Sequence, residues 1–342
     1  MKNDQATIRD LALKLNISIS TVSRALRNAP DVNPDTKKAV LALAEQLHYE
    51  PNRVAQSLRI RKTKTIGVVV PQIAMHFFSS VISGIQEYAA QHGYSIMICQ
   101  SMESLDTEKS NIHMLVSNRV DGLLISLSSE TTNVEHLEHL LAKKIPIVLF
   151  DRVTDTLPVS KVVVDDHDGA FTAVDYLIRT GCRRIAYIGG PEGLSISNQR
   201  MQGYRDALQK HNLPILPDYT VHCADLQNGS TGATQRLLNL HERPDAIFCM
   251  NDPMAILAMQ VLRERGVRIP DDISLIGFTD EPVSRFIEPA LTTVAQPAYT
   301  MGQAAARLFI SQVEHPDTFT PRLEVLPTEL IVRGTTRLPA DR

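Results

Sequence analysis

Residues 7–26 read TIRDLALKLNISISTVSRAL, and this stretch decides the fold of the N-terminal part of the chain. Apolar residues between Ile8 and Leu15 recur at the spacing i, i+3, i+4, i+7, which puts them on one face of a helix. Thr7 stands where a side chain caps such a helix, and Asp10 suits the positive end of the helix dipole. The stretch is therefore predicted to begin with a short amphipathic helix.

A tight turn and two further helices follow. Asn16 tolerates a left-handed backbone, and Ser18 is placed to cap the second helix. Asn33 and Pro34 provide a cap and a first-turn proline for a third helix. The inward-facing residues of these two helices are Val22, Ala25, Leu26, Val40, Leu43 and Leu47. Two short helices joined by a tight turn and braced by a third indicate a helix-turn-helix module.

The outer face of the second helix carries Ser20, Thr21, Arg24 and Arg27, which contribute little to a protein core. In a helix-turn-helix this helix enters the major groove of DNA. Arg24 can pair with guanine through two hydrogen bonds, and Ser20 and Thr21 can bond base edges or phosphate. Ile19 can contact a thymine methyl group. The alternative is a three-helix bundle with no nucleic-acid role, but the polar, basic second helix favours DNA binding.

A short basic segment, residues 51–64, comes after the helices. It is weakly amphipathic and too short to form a stable helix alone, so it is either a plain linker or a segment that folds on its target. Leu58 stands among arginines, and an apolar side chain flanked by positive charge can insert between base steps in the minor groove. The alternative for Leu58 is packing against the body of the protein.

The charge of the 342-residue chain is divided unevenly. The formal net charge is −3, but residues 1–64 hold twelve Lys and Arg against six Asp and Glu, so this head carries +6 and the remainder −9. A basic head on an acidic body indicates that only the head meets a polyanion. The hydrophobic fraction of 43% and the charged fraction of 21% exclude wholesale disorder.

From residue 65 onward, short apolar runs alternate with longer amphipathic stretches. The predicted strands are Ile66–Val70, Ile96–Cys99, Gly122–Ser126, Ile147–Phe150, Ile185–Ile188, Ala246–Cys249 and Ile273–Phe278. The predicted helices include Val81–Gln91, Val134–Lys143, Asn198–Asn212 and Pro253–Arg265. Continuous apolar strands separated by helices indicate parallel sheets covered on both faces. Two such sets predict two α/β lobes.

Ligands of open α/β sheets bind beyond the carboxyl ends of the strands. In this chain those positions hold Gln72, Phe77, Phe78, Asp151, Arg152, Asn251, Asp252, Thr279 and Asp280, together with the turn at 189–191. Aromatic rings with carboxylates, amides and guanidinium groups suit a sugar or another small polyol. The alternative for each residue singly is a loop position or a helix cap; Asp252, for example, is placed to cap the next helix.

Several motifs resemble those of the lactose-repressor (LacI/GalR) family, over essentially the whole chain. They are Thr7–Ala12, Ile17–Leu26, Tyr49–Asn52, Ala55–Leu58, Thr65–Pro71, Arg119–Leu124, Asp271–Phe278 and Pro289–Thr293. The resemblance implies a homodimer on a near-palindromic DNA operator, a hinge helix with Leu58 in the minor groove, and a small effector bound in the body. It also implies a dimer surface on Ser79–Tyr88. Three chain crossings between the lobes are implied near Asp165–Gly169, Val294–Gln296 and Leu323–Pro327.

The predicted fold class is a small all-α helix-turn-helix head followed by an α/β periplasmic-binding-protein-like body of two doubly wound parallel-sheet lobes. The predicted boundaries are 1–50 for the head, 51–64 for the hinge helix or linker and 65–342 for the effector-binding and dimerisation body. Lobe 1 is expected at about 65–165 plus 296–324, and lobe 2 at about 166–295 plus 325–342.

The residues expected to contact DNA are Thr7, Ser18, Ile19, Ser20, Thr21, Ser23, Arg24, Asn28, Asn52, Ala55, Leu58 and Arg59. The residues expected to contact the effector are Phe77, Phe78, Asp151, Arg152, Asn198, Arg200, Asn251, Asp252, Thr279 and Asp280. Arg200 enters this set because its surroundings, Asn198–Tyr204, resemble the family motif whose arginine contacts effector.

Position 279 departs from the family pattern, which usually has aspartate after Gly-Phe or Gly-Tyr. An aspartate there can accept hydrogen bonds from two sugar hydroxyls, whereas threonine is neutral and shorter. Asp280 is a candidate for compensating the change. Because arginine binds carboxylates through two hydrogen bonds, Arg152 and Arg200 raise the hypothesis of an acidic sugar as effector.

Two other protein classes share parts of the pattern. A periplasmic-type sugar-binding protein has a similar two-lobed body, but the basic head and the lack of a signal-peptide pattern count against it. A sugar-modifying enzyme lacks support, since neither a GxxxxGK[ST] loop nor a GxSxG elbow occurs. We expect no cofactor, no metal site and no membrane segment. The four widely separated cysteines favour a cytoplasmic location.

Two clusters resemble metal sites without matching one. His136 and His139 lie three residues apart beside Glu135 and Glu138, for which we expect a solvated helix face. Residues 165–168 read Asp-Asp-His-Asp, and their position at a lobe crossing favours a hinge and pocket-edge role.

Overall fold

The structure of the chain is a computed structural model, which describes residues 6–47, 49, 63–224 and 229–339. The chain divides into two compact units, with the boundary between Thr63 and Lys64. The first unit contains the helices of the basic head. The second contains two sheets, each covered by helices, and the predicted hinge residues 51–62 lie outside the described part.

Three short helices build the head. They are α1 Ile8–Lys14, α2 Ile19–Leu26 and α3 Pro34–Gln46. Leu11, Val22 and Val40, one from each helix, are fully buried and form the centre of the core. The inward faces predicted from the apolar spacing are therefore the faces that pack together.

The predicted helix caps are confirmed. Thr7 and Asp10 form a capping box at the start of α1. Ser18 and Asn33 each accept a hydrogen bond from a backbone amide in the first turn of the helix that follows. Asn16 has a φ of +52°, the left-handed conformation expected of it in the turn. These local bonds position α2 relative to α1.

The second unit begins with five strands that alternate with helices. They are β1 Thr65–Val70, α4 His76–Gln91, β2 Ser95–Gln100, α5 Leu105–Ser117, β3 Gly122–Ile125, α6 Glu135–Ala142, β4 Ile147–Phe150 and β5 Ser160–Val164. Strand β5 is absent from the sequence prediction. Its residues alternate between buried and half-buried and include Lys161, so the continuous apolar run that identifies the other strands is missing.

The chain then builds the second sheet. Its elements are α7 Asp166–Arg179, β6 Ile185–Gly189, α8 Ser195–Lys210, a 3₁₀ turn Pro217–Tyr219, β7 Thr220–His222, α9 Gly229–Leu238, β8 Ala246–Cys249, α10 Asp252–Glu264, β9 Ser274–Thr279, a 3₁₀ turn Pro282–Arg285 and β10 Thr292–Ala295. Three final elements are α11 Ala298–Glu314, β11 Leu323–Leu326 and β12 Glu329–Ile331.

Each lobe draws its sheet from separate parts of the chain. The first sheet has the order β11-β5-β4-β3-β1-β2 and the second β12-β10-β9-β8-β6-β7. The chain therefore passes between the sheets three times, after β5, after β10 and after β11. All described strand pairs are parallel except β12, which runs antiparallel to β10. The predicted parallel-sheet lobes are confirmed, and the antiparallel edge strand β12 is joined to β11 of the other sheet by a two-residue link.

Helices cover the sheets on both faces. In the first lobe, α4 and α11 pack with the sheet in one hydrophobic core, and α5 and α6 pack in another. In the second lobe, α7 packs against α8 and α9 against α10. The loops after the strands are left to line the space between the lobes.

Candidate functional site

Helix α2 presents its polar side to solvent. Val22 and Ala25 are buried in the head, whereas Ser20 and Arg24 are exposed and the Ile19 side chain is 46% exposed. A helix that buries so few residues and exposes an isoleucine next to polar groups has the surface expected of a helix that enters a DNA groove.

Hydroxyl groups at the start of α2 form a small network. Ser18 Oγ lies 2.7 Å from Ser20 Oγ and 2.8 Å from Thr21 Oγ1, and it accepts a hydrogen bond from the Thr21 amide at 3.1 Å. At the start of α1, the Thr7 hydroxyl donates to Asp10 Oδ2 at 2.7 Å. These bonds fix the positions of the hydroxyl groups before any DNA is bound.

The cationic side chains of α2 have partners within the head. Arg24 forms an ion pair with Asp31, and the two side chains are 51% and 49% exposed. Arg27 bonds its own helix, because its Nε donates to the Ser23 carbonyl at 3.0 Å and its Nη2 to the Ser23 hydroxyl at 3.3 Å. Asn28 follows the helix with a φ of +57°. Of these side chains, Arg24 projects a partly free guanidinium group.

Four of the residues expected to contact DNA lie outside the described part of the chain. They are Asn52, Ala55, Leu58 and Arg59. Of the described candidates, those from Ser18 to Arg24 belong to α2 and its cap, Thr7 caps α1 and Asn28 follows α2. Hydroxyl and guanidinium groups such as theirs bind phosphates and base edges in protein–DNA complexes.

The second unit contains a cavity of about 230 Å³. Phe77 and Ser80 reach it from α4 of the first lobe, Thr279 and Asp280 from the end of β9 in the second lobe, and Gln296 from the second crossing. The other lining residues are His76, Ala295, Pro297, Ala298, Tyr299 and Thr300. Both lobes thus bound the cavity beyond the ends of their strands, as expected for open α/β sheets.

Arg200 on α8 is only 2% exposed and uses its guanidinium group in three ways. Nε and Nη2 each lie 2.7 Å from Asp166 Oδ1, and Nη1 donates to the Met250 carbonyl at 2.6 Å. Its guanidinium carbon lies 3.7 Å from the centroid of the Phe278 ring. Asn198, two residues earlier, has an exposed side chain, so the structure does not bring it into this group.

Asp151 and Arg152 follow β4, and both are buried. Asp151 has a φ of +59° and accepts a hydrogen bond from Ser126 Oγ at 3.4 Å. Burial raises the pKa of Asp151 to about 6, although Arg152 opposes the rise. Asp166 raises this pKa further and Arg200 lowers it, so the charged groups of the two lobes lie within electrostatic reach of one another.

Two residues with a buried polar atom that lacks a hydrogen-bond partner among the described residues are absent from the predicted effector-binding residues. Glu103, in the loop after β2, accepts hydrogen bonds at Oε2 from Arg152 Nη1 at 2.6 Å and from the Ser129 amide at 2.9 Å. Gln296 lines the cavity, and its buried Nε2 has no hydrogen-bond partner among the described residues. The one available signal for Glu103 is its place three residues after a strand end, and many other residues share that signal.

Both carboxylate oxygens of Asp252 accept hydrogen bonds within the second lobe. Oδ1 accepts from the Thr293 hydroxyl at 2.5 Å, and Oδ2 accepts from the Ser284 hydroxyl at 2.7 Å and the Glu281 amide at 2.8 Å. Burial raises the pKa of Asp252 to about 6 despite these bonds. The suggestion that Asp252 caps α10 is wrong, because the side chain of Asn251 accepts the capping bond. Asp252 instead ties α10 to β10 and to the 3₁₀ turn.

The end of β9 has an unusual backbone, with φ of +128° at Thr279 and +59° at Asp280. Asp280 accepts from Arg285 Nη2 at 2.8 Å and from Arg333 Nη2 at 2.6 Å. Burial raises the pKa of Asp280, but the two arginines outweigh this and hold it below its usual range. Asp280 therefore already has two cationic partners, which reduces its capacity to replace an aspartate at position 279.

The solvated helix face is found at Glu135, Glu138 and His139, which are exposed, but the prediction is wrong for His136. His136 Nε2 lies 3.0 Å from Oε1 of Glu108, which is fully buried and also accepts from the Ser128 amide at 2.7 Å. This pair holds α6 against α5. Across the described ranges, no group of three or more His, Cys, Asp or Glu has a metal-binding arrangement. No helix in those ranges is long and apolar enough to span a membrane.

Comparison with known proteins agrees with both halves of the structure. Residues 7–52 match the model for bacterial regulatory proteins of the lacI family, and residues 174–336 match the periplasmic binding protein-like domain. The probable HTH-type transcriptional repressor ExuR of Bacillus subtilis (strain 168) is 37% identical over 336 residues, which cover 97% of this chain and 98% of ExuR.

Two solved structures are similar over nearly the same extent. The lac repressor dimer bound to operator and the anti-inducer ONPF has a TM-score of 0.86 and 28% identity, covering 97% of this chain and 99% of the repressor. The transcriptional regulator CelR–cellobiose complex has a TM-score of 0.73 and 28% identity, covering 96% and 99%.

The matches begin at residue 7 and include the head, so the alternative of a sugar-binding protein without a DNA role is not retained. The helix-turn-helix, the two-lobed body with its three crossings and the identity over almost the whole length all agree. The chain belongs to the lacI family of bacterial regulatory proteins.

Proposed function

We propose that this protein represses transcription as a homodimer on a near-palindromic operator, and that a neutral sugar or sugar derivative bound between the lobes changes its affinity for DNA. The observation that carries the effector part is a pair of buried N–H groups, one of them on Gln296, which lines the cavity. Arg152 Nε and Gln296 Nε2 are buried without a hydrogen-bond partner among the described residues. Buried donors normally have acceptors, and a sugar hydroxyl supplies one.

A neutral ligand fits the charges better than the acidic sugar considered above. Arg200 is already paired with Asp166, and Arg152 with Glu103. Asp151 adds a further carboxylate, which is mostly ionised at neutral pH with a pKa of about 6. Neither arginine therefore presents an unneutralised charge to a ligand carboxylate. The similar CelR structure contains cellobiose, a neutral sugar, which supports the same class here.

The link between effector and DNA follows from the construction of the body. Three chain segments join the two sheets, so a change in the angle between the lobes bends all three together. A ligand that contacts both lobes favours the arrangement in which those contacts are made. The effector then alters operator affinity only as far as it binds the two arrangements differently.

We propose a dimer surface that differs in part from Ser79–Tyr88. The apolar side of α4 is buried against α11, where Gly84 and Gly302 allow the helices to approach closely. Apolar side chains are exposed instead at and after the edge strand β2, where Ile98 is 38% and Met102 is 70% exposed. Exposed apolar patches on one side of a regulator suit contact with a second copy.

The second lobe offers a comparable patch. Phe286 is 85% exposed and Val283 46% exposed in the segment after β9. A cavity of about 410 Å³ is lined by Ile287 and, on α10, by Ile256 and Met259 together with the polar residues Gln260, Arg263 and Glu264. We include this patch in the proposed dimer surface, so that both lobes contribute and closure of the lobes reaches the partner.

On this proposal the protein acts by binding alone, in the cytoplasm where operator DNA is, and without catalysis or a cofactor. Fluorescence anisotropy with a labelled duplex from the region upstream of its own gene tests it. We expect binding at least 100-fold tighter than to a scrambled duplex and a change in affinity with at least one neutral sugar of a panel. Equal affinity for the promoter and scrambled duplexes contradicts the proposal.

A further inference from the structure

Glu103 pairs with Arg152 although the two residues follow strands that are not neighbours in the first sheet. Strand β2, which precedes Glu103, is separated from β4, which precedes Arg152, by β3 and β1. Met102 and Glu103 both adopt positive φ, +53° and +62°, a region that residues other than glycine seldom occupy. In this conformation Met102 stays 70% exposed while the Glu103 side chain is 20% exposed. The loop thus turns a carboxylate inward at the carboxyl ends of the strands.

In the pair of Glu103 and Arg152, each charged group leaves one of its polar atoms without a hydrogen bond. Glu103 Oε2 accepts from Arg152 Nη1 at 2.6 Å and from the Ser129 amide at 2.9 Å. Glu103 Oε1 and Arg152 Nε have no hydrogen-bond partner among the described residues, and Arg152 is 4% exposed. Burial raises the pKa of the Glu103 carboxyl, but Arg152 and the Ser129 amide outweigh this and hold it below its usual range. Glu103 is therefore ionised at neutral pH.

The charged groups around Arg152 determine which ligand groups it can bind. Asp151 Oδ2 lies 3.9 Å from Arg152 Nε, so this guanidinium group has two carboxylates beside it. In the other lobe, Arg200 is matched by Asp166. Three carboxylates face two guanidinium groups, and the residual charge is negative. A ligand carboxylate entering this region meets repulsion, whereas a hydroxyl or carbonyl oxygen finds the remaining N–H at Nε.

We propose that Glu103 is a specificity-determining residue, an internal carboxylate that occupies Arg152 as the carboxylate of a ligand would and so makes the cleft select neutral over anionic ligands. The proposal rests on the proposed function only in taking the space between the lobes, here called the cleft, as the effector site. Removing Glu103 converts Arg152 into an anion site, and a small carboxylate then fills the vacated space.

Formate rescue of a Glu103→Ala variant tests this without knowledge of the effector. The thermal midpoint of the full chain is measured in sodium formate against sodium chloride at equal ionic strength. At a formate concentration ten times its dissociation constant, the folding equilibrium of E103A shifts by about 11-fold. The wild type shows no difference between the two salts. A variant that folds only when formate is present gives the same support.

Two further variants are controls for the formate response. Replacing both partners, as Glu103→Ala with Arg152→Met, abolishes the formate response, because no buried guanidinium group remains. Glu130→Gln, in the same part of the lobe, serves as the matched control: Glu130 accepts from the Leu105 amide at 3.1 Å and does not contact Arg152. This variant responds to formate as the wild type does. If E103A is unfolded in both salts, Glu103→Gln provides the reading, with a smaller formate shift expected.

The outcomes separate this inference from the proposed function. An equal formate response in the wild type and the Glu103 variants, or none in any of them, overturns the role of Glu103. A wild-type chain that binds no promoter duplex overturns the proposed function and leaves the formate result standing.

Discussion

Arg200 and Asp166 connect the first two helices of the second lobe through two nitrogen–oxygen distances of 2.7 Å, with the guanidinium group lying against the Phe278 ring. Both residues are almost completely buried, at 2% and 6% exposure. Burial raises the pKa of Asp166, and the arginine counteracts the rise. The pair therefore holds α7, the first element after a crossing, in a fixed position relative to α8.

Arg200→Met leaves the Asp166 carboxylate buried without its partner. We expect the free energy of unfolding to fall by about 3–5 kcal/mol. Adding Asp166→Asn removes the unpaired charge and restores part of the loss. Urea unfolding followed by tyrosine fluorescence measures this, since the chain has no tryptophan. Lys210→Met, which breaks an exposed pair with Asp175, is the control and costs at most about 1 kcal/mol. If Arg200→Met and the double variant Arg200→Met with Asp166→Asn lose equal free energy of unfolding, the expectation is contradicted.

Asp151→Asn is expected to stabilise the body at neutral pH. The pKa of Asp151 is about 6 in the folded protein, above its ordinary value of 3.8, so the folded state binds more protons between these limits. Asp151 therefore contributes a loss of stability to the wild type as pH rises through this window, and the asparagine variant lacks this contribution. The variant gains roughly 1–3 kcal/mol above about pH 7 and nothing near pH 4.

The control for this pH profile has the opposite sign. Asp272 is exposed and bonded to Arg268, which lowers its pKa to about 2. Asp272→Asn should therefore reduce stability at neutral pH, and the reduction should disappear as pH falls through the window between about 4 and 2. Denaturant midpoints measured from about pH 2 to pH 8 check both variants. A pH-independent difference for Asp151→Asn would refute the assignment.

Gly84→Ala is expected to separate two helices. A Cβ at Gly84 on α4 falls 2.1 Å from the carbonyl oxygen of Tyr299 on α11, and backbone has no room to yield. We expect a loss of at least about 1–3 kcal/mol, as for other overpacked cores. Gly232→Ala on α9 meets nothing within 4 Å and should stabilise the protein by about 0.5–1 kcal/mol. Thermal unfolding of both variants measures the contrast, which a shared sign would disprove.

Arg24→Ala is expected to weaken operator binding by about 1–3 kcal/mol and to relax the preference at one base pair. Asp31→Asn frees the same guanidinium group from its ion pair and should strengthen binding to all duplexes. Lys38→Ala, at an exposed position of α3, is the control and leaves the base preference unchanged. Binding to a set of single-base operator variants distinguishes these effects. Unaltered specificity in Arg24→Ala argues against base reading.

Operator affinity is expected to fall steeply with salt, because the head carries +6. If each of two heads neutralises about three phosphates, the slope of log K against log salt concentration is about −5. Anisotropy titrations at salt concentrations between about 50 and 200 mM measure this slope. A slope near zero would mean that the basic residues do not meet the phosphate backbone.

Local features of this chain could be predicted from its sequence. Thr7, Ser18 and Asn33 cap helices because a cap and its amides lie within three residues, and the buried strands are continuous apolar runs. Partners far apart in sequence could not be predicted. Arg152 lies 49 residues from Glu103, and Asp252 lies 41 residues from Thr293. Such contacts depend on strand order and on positive φ values at residues such as Met102 and Glu103, which are not residue types that favour this conformation.

The last two strands have a consequence for synthesis on the ribosome. β11 and β12 occupy the edges of two different sheets, beside β5 and β10, yet both leave the ribosome after every other described strand and helix. Every helix of the head has emerged more than 270 residues earlier. A stop codon shortly before position 323 therefore removes an edge strand from both lobes and spares the reading helix. Such a product keeps the helix-turn-helix head that binds the operator. It loses part of the body through which an effector changes that binding.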